Sequence, residues 1–291
     1  MIEIVDNEAN PKELSKLTKE EWREYTKTVW HIANVSHTAH PAVFPEEIPK
    51  RLIKMFSFHG ETVLDPFAGT GTTGYVAVQH GRKAICVEQN EAYTQLIRDR
   101  FSNLTGQYLV EEVLQVVNGD SRDLSFLGTN SVGLVVTSPP YWNKANYGEG
   151  ESNLGRAAQY RNFLDQIKPV FEEASRVLIP GRKLCVVTAN VNQYTDHGLL
   201  TFPLASDIII MLRNLGLVMV TEIIWSKDGT GGKWGSSGEQ RPIFGSYPYP
   251  PNFLFKNVHE YVIVFAKPPA KLNAAAKCMP YHWLMQDDYV G

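Results

Sequence analysis

Between residues 60 and 215, short apolar runs alternate with longer amphipathic ones, and this alternation confines the chain to one class of fold. Residues 62–65 form a buried-strand run, a Gly-rich turn follows, and 72–80 read as a helix that Gly81 stops. A second strand at 83–88 precedes a helix from Glu91 to about Asn103, and further strands are expected at 113–117, 132–136 and 184–188. The stretches 160–178, closed by Pro180-Gly181, and 203–215, ended by Gly216, read as helices. Strands separated by helices mean βαβ units, so the expected fold is α/β: a doubly wound, mainly parallel, Rossmann-like sheet with helices on both faces. Residues 217–225 and 261–265 have no helix between them and are expected to pair antiparallel near the C-terminal end. Residues 1–30 read as a short helical arm, and 31–291 as the main domain.

Composition narrows the functional classes. A hydrophobic content of 43% in 291 residues suffices for a large core without disulfides or metals. With 28 basic against 31 acidic side chains, net −3, any contact with a polyanion must come from a local patch. Cys86, Cys185 and Cys278 are widely spaced and form no CxxC pair, which excludes a disulfide framework or thiolate zinc site and suits a reducing cytoplasm. The N-terminus lacks a signal-peptide pattern, and the apolar stretch 199–220 is broken by Asp207, Arg213 and Asn214, so a cytoplasmic protein is expected.

The first chemical motif is Asp65-Pro-Phe-Ala-Gly-Thr-Gly-Thr-Thr73, where the first strand turns into the first helix, at the sheet edge where such folds bind ligands. Gly69 and Gly71 let a ligand approach the backbone, and the helix N-terminus offers free N–H groups. Gly74 completes a dinucleotide-like spacing, but Asp65 puts a carboxylate where a pyrophosphate would lie, which favours a cationic ligand. Glu88, ending the second strand, stands where an acidic side chain reaches ribose hydroxyls, or it is a surface carboxylate capping the next helix. Asp120, in Asn118-Gly-Asp120, either accepts from an adenine amino group or simply belongs to a turn.

Thr137-Ser-Pro-Pro-Tyr-Trp142 follows the fourth strand. Consecutive prolines hold the backbone extended and leave carbonyls without local N–H partners, making a rigid rim for an amino group. Ser138 supplies an acceptor there, Tyr141 a stacking surface for a planar base, and Trp142 a pocket wall.

Together these segments resemble the amino-group DNA methyltransferases, which act on cytosine N4 or adenine N6. That family carries a D/S/N-P-P-Y/F/W catalytic motif and a D-P-F-x-G-x-G-T cofactor motif. His40-Pro-Ala-Val-Phe-Pro45 resembles the segment closing over the methionine end of S-adenosylmethionine, while Ile224-Trp-Ser-Lys227 and the run from His259 to Lys267 resemble the family's late strands. The resemblance implies a methyltransferase sheet and S-adenosylmethionine as cofactor. It assigns Asp65, Phe67, Gly69, Gly71, Thr72 and Thr73, with Phe44 and Pro45, to cofactor binding, Glu88 to the ribose and Asp120 to the adenine. Ser138, Pro139, Pro140 and Tyr141 become the catalytic rim. Ser at the first motif position goes most often with cytosine N4, and Asp or Asn with adenine N6. The cofactor motif here precedes the catalytic one, whereas many small N4-cytosine enzymes have the reverse order.

The implied partners are double-stranded DNA and, for a restriction-linked enzyme, a cognate endonuclease acting on the same site in the nucleoid. A buried amino group requires base flipping. The insertion 226–257, with six aromatics and four basic against two acidic side chains, is the expected recognition segment, Lys227, Lys233 and Arg241 touching phosphate or base edges. A catalytically silent DNA-binding subunit is the rival outside enzymes. No thiol stands at a strand end beside such a motif, which excludes the covalent route of C5 methylation. His31, His37 and His40 share no carboxylate or cysteine, and no metal site is expected.

Overall fold

All six residues of the strand Val132–Thr137 are buried, which demands cover on both faces of the sheet that contains it. The computed structural model, which describes residues 10–34, 44–102, 110–142, 157, 159–227 and 257–269, supplies that cover. In chain order the elements are α1 (Pro11–Leu14), α2 (Lys19–Tyr25), β1 (Val29–His31), α3 (Glu47–Phe56), β2 (Thr62–Asp65), α4 (Thr72–Gln79), β3 (Lys83–Glu88), α5 (Glu91–Ser102) and α6 (Val110–Val113). Then follow β4 (Leu114–Asn118), β5 (Val132–Thr137), α7 (Tyr160–Val177), β6 (Leu178–Thr188), β7 (Val191–Thr195), β8 (Gly198–Phe202), α8 (Leu204–Asn214), β9 (Val218–Ser226) and β10 (His259–Ala266).

Eight strands form one sheet in the order β1-β9-β10-β6-β5-β2-β3-β4, while β7 and β8 make a separate antiparallel hairpin. Neighbours from β6 to β4 run parallel. Strand β10 lies antiparallel between β6 and β9, and β1 joins β9 in parallel. Alternate side chains of the parallel strands point to opposite faces. Val135, Ile85 and Val87 meet α7 and α8 through Phe163, Phe171, Ile208 and Leu212. Leu134, Val136 and Cys86 meet α3, α4 and α5 through Leu52, Val76, Ile97 and Phe101. The result is the doubly wound α/β sheet expected, with an antiparallel pair at its C-terminal end.

Three local expectations change. The arm holds helices, but its end is strand β1, with Trp30 buried and its indole donating to the Tyr25 carbonyl at 3.2 Å. Pro180-Gly181 does not close a helix: α7 ends at Val177, and these residues lie inside β6, where the register against β5 shifts. Proline is tolerated at such an irregularity because the ladder is already interrupted there, and Gly181 takes φ 86°. The hairpin β7–β8, with Gly198 at φ 93°, falls in a stretch that its apolar content alone did not mark as strand.

Candidate active site

The chain runs outward from β2 to β3 and β4, then returns to place β5 on the other side of β2. A crevice opens at such a reversal, beyond the carboxyl ends of the strands. Ser138 follows β5, Asp65 ends β2, Glu88 ends β3 and Asp120 lies just past β4. Neighbouring strands stand about 4.8 Å apart, so this row extends over roughly 14 Å.

Asp65 is buried, at 2% exposure. Its Oδ1 accepts from the Phe67 amide at 3.0 Å and from the Thr137 hydroxyl at 2.8 Å, the latter coupling the two motifs directly. Burial pushes the carboxyl up to about 6, against the opposing pull of those donors. The nearby Thr73 hydroxyl pulls in the same direction as those donors.

The turn after Asp65 needs its glycines for different reasons. Gly69 and Gly71 take φ 52° and 80°, left-handed conformations that L side chains rarely adopt. At Gly74 the backbone conformation is ordinary, but an added Cβ would stand 2.4 Å from Cys86 Sγ, so this glycine lets α4 pack directly on β3. Glu88 clasps the turn: its Oε2 accepts from the Gly69 amide at 2.8 Å and its Oε1 from Asn90 at 2.9 Å. Burial nevertheless raises its carboxyl above the usual range. Thr72 and Thr73 are buried in the first turn of α4, and Phe67 packs on the α7 side of the sheet. Phe44 and Pro45 lie just ahead of Glu46, which caps α3, Phe44 packing on the core of the opposite face.

Asp120 belongs to the turn that was one of its two readings, its Oδ1 accepting from the Arg122 amide at 3.0 Å. Arg122 forms a bidentate pair with it, Nε lying 3.0 and 2.9 Å from the two carboxylate oxygens, and burial's upward push is outweighed so that the carboxyl is lowered.

On the β5 side, Ser138 Oγ lies 3.3 Å from the Tyr141 hydroxyl, which donates at 2.8 Å to Oε2 of Glu260 on β10. The other oxygen of Glu260 pairs with Lys227, whose Nζ sits 4.4 Å from the centre of the Trp225 ring. Lys227, expected to face DNA, is thus drawn into this rim. Glu260 went unrecognised in the sequence, although a carboxylate beginning an otherwise apolar strand, His259-Glu-Tyr-Val-Ile-Val-Phe-Ala266, marks it. Trp142 is a core residue: its indole donates to the Ala157 carbonyl at 2.8 Å and its ring meets Tyr160 and Phe202. Its φ of 48° turns the chain sharply after the motif.

Cys86 and Cys185 are fully buried, and burial pushes both thiols far above their ordinary range. Among the described residues no group of three or more His, Cys, Asp or Glu side chains could hold a metal ion, and no helix is long and apolar enough to cross a membrane. His37, His40, Lys233, Arg241 and Cys278 lie outside the described residues, as does nearly all of the insertion.

A family model described as DNA methylase, N6_N4_Mtase, matches residues 3–99 and 132–290. The type II methyltransferase M.MjaI of Methanocaldococcus jannaschii is 42% identical over 92 residues, 30% of each chain. The DNA adenine methyltransferase YhdJ of Escherichia coli is 41% identical over 86 residues, 30% of this chain and 29% of YhdJ. Each alignment thus spans less than a third of the relative's length. TTHA0409 of Thermus thermophilus, solved with S-adenosyl-L-methionine, is 33% identical over 53% of this chain and 56% of its own, at a TM-score of 0.39.

Proposed function

The chain belongs to the N6/N4 DNA methylase family, and on that premise we propose that it transfers a methyl group from S-adenosylmethionine to an exocyclic amino group of a base in duplex DNA. The observation that carries the reading is the hydrogen bond from Thr137 to Asp65, which joins the Ser138-Pro-Pro-Tyr141 rim to the glycine turn in one crevice.

The residues fit the cofactor. Among the described residues, Asp65 and Glu88 take part in no ion pair, so the crevice is locally acidic and suits a sulfonium. Asp65, Phe67, Gly69, Gly71, Thr72 and Thr73 would hold its amino-acid part, assisted by Phe44 and Pro45. Glu88 retains lone pairs for ribose hydroxyls, and Asp120, with Arg122 attached, would border the adenine. When bound, the cofactor supplies an electrophilic methyl group. The chain's own contribution is to the acceptor: Ser138 Oγ and a carbonyl of the rim accept from the amino protons, which favours a pyramidal nitrogen with an available lone pair. Pro139 and Pro140 fix the rim, and Tyr141 offers a ring to the flipped base. No enzyme thiol takes part.

The serine in the motif favours cytosine N4 as the acceptor, with adenine N6 as the alternative. Recognition is assigned to the insertion 226–257, through Lys233 and Arg241, and a cognate endonuclease would be the partner of a restriction-linked enzyme. The test is transfer of labelled methyl to duplex DNA, with digestion to nucleosides to identify the modified base. Ser138→Ala and Tyr141→Ala should lose turnover while keeping cofactor affinity. Absence of transfer to any duplex by protein that binds the cofactor would favour the silent-subunit reading.

A further inference from the structure

We propose that Glu260 is a positioning residue that fixes which way the Ser138 hydroxyl points its proton. This rests on the reading of Ser138 as the acceptor for the substrate amino group. A carboxylate can only accept, whereas a phenol and a serine hydroxyl each carry a single proton. Glu260, paired through Oε1 with Lys227, presents Oε2 to the Tyr141 hydroxyl at 2.8 Å, so the tyrosine proton is committed to the carboxylate. Towards Ser138, 3.3 Å away, the Tyr141 oxygen then has only lone pairs. Ser138 donates its proton to Tyr141, and its remaining lone pairs face the crevice. An incoming amino group brings N–H donors, and the rim meets them with an acceptor already oriented.

The fold maintains this polarity. Glu260 pairs with Trp225 across the β9–β10 ladder, and the Lys227 amide donates to the Val258 carbonyl at 2.9 Å, tying the ammonium beside the carboxylate. Both side chains are at most 19% exposed, so water competes little for the pair. Tyr141 and Glu260 are 119 residues apart, and the sheet alone brings them together.

Glu260→Gln tests the proposal because it keeps the shape but supplies a donor. Its amide can donate to the Tyr141 oxygen, which frees the phenol proton to turn to Ser138 and sends the serine proton into the crevice. The expected result is a fall in kcat of about 10- to 100-fold, the range for a lost hydrogen bond involving a charged group. KM for DNA and the cofactor Kd should stay within about twofold, with an unchanged thermal midpoint. In a Tyr141→Phe background, where the relay is already cut, the same substitution should change kcat little. A wild-type kcat in Glu260→Gln, or an equal loss in both backgrounds, would overturn the proposal. A separate readout is the Tyr141 ring 13Cζ resonance, identified with Tyr141→Phe, which shifts when its hydroxyl exchanges donating for accepting. An unmoved resonance in Glu260→Gln would refute the relay even if wild-type protein methylated no DNA, the result that would instead sink the proposed function.

Discussion

Replacing Asp65 with asparagine should make the cofactor-free protein more stable at neutral pH. Burial raises this carboxyl from an ordinary 3.8 to about 6. Between those values the folded protein holds a proton that the unfolded chain releases, so stability falls as pH rises through the window. At about 1.4 kcal/mol per pH unit the loss amounts to about 3 kcal/mol, complete above pH 6. The neutral amide in Asp65→Asn would avoid it. Its Oδ1 can still accept from Phe67 and Thr137. Urea unfolding of both proteins at several pH values measures the difference, to which Glu88 adds in the same direction because the Asp65 charge also raises its carboxyl. The variant should be more stable by up to about 3 kcal/mol at pH 7.5, the gap closing towards pH 4. A gap of constant size, or a variant less stable at pH 7.5, would refute the reasoning. The same variant should bind S-adenosylmethionine about 10- to 100-fold more weakly by calorimetry, having lost a charge-assisted contact. The wild type thus keeps a carboxylate that weakens the fold at the point where a cation would be held.

Other outcomes follow from packing. Gly74→Ala would force a methyl group against Cys86 Sγ, 2.4 Å from the ideal Cβ position, and should lower stability by about 1–3 kcal/mol in thermal or urea unfolding. Trp142→Ala would empty a buried site lined by Tyr160 and Phe202 and should destabilise by about 3–5 kcal/mol. The peptides carrying Cys86 and Cys185 should resist iodoacetamide in native protein and label only after denaturant unfolds it, as mass spectrometry would record.

The parallel half of the sheet was the legible half. Buried parallel strands write themselves as uninterrupted apolar runs, and 62–65 and 83–88 became β2 and β3 with the expected bounds. The glycine turn was legible for a similar reason, because Gly69 and Gly71 occupy backbone conformations that few other residues tolerate. Pro180-Gly181 misled because the same pair that terminates a helix also suits an irregularity in a strand. The three residues of β1 are too few to show a period, and their burial depends on a strand near residue 224. In the candidate site, local motifs announced Asp65, Glu88 and Ser138, whereas the Glu260 link to Tyr141, across 119 residues, depends on how the sheet brings side chains together.

The position of β10 also governs the order in which this protein can assemble. After β1 a ribosome delivers β2 to β6, and their parallel core can close from neighbours in sequence. Strand β9 cannot join that core directly, since its place is taken by β10, which emerges more than thirty residues later. During that interval the edges of β6 and β9 stand open, and β1 waits for a partner nearly 200 residues downstream. Such long-range pairing is slow and leaves strand edges free to associate with other chains. Refolding yield should therefore depend on protein concentration, and His259–Ala266 should be the segment whose docking completes the sheet.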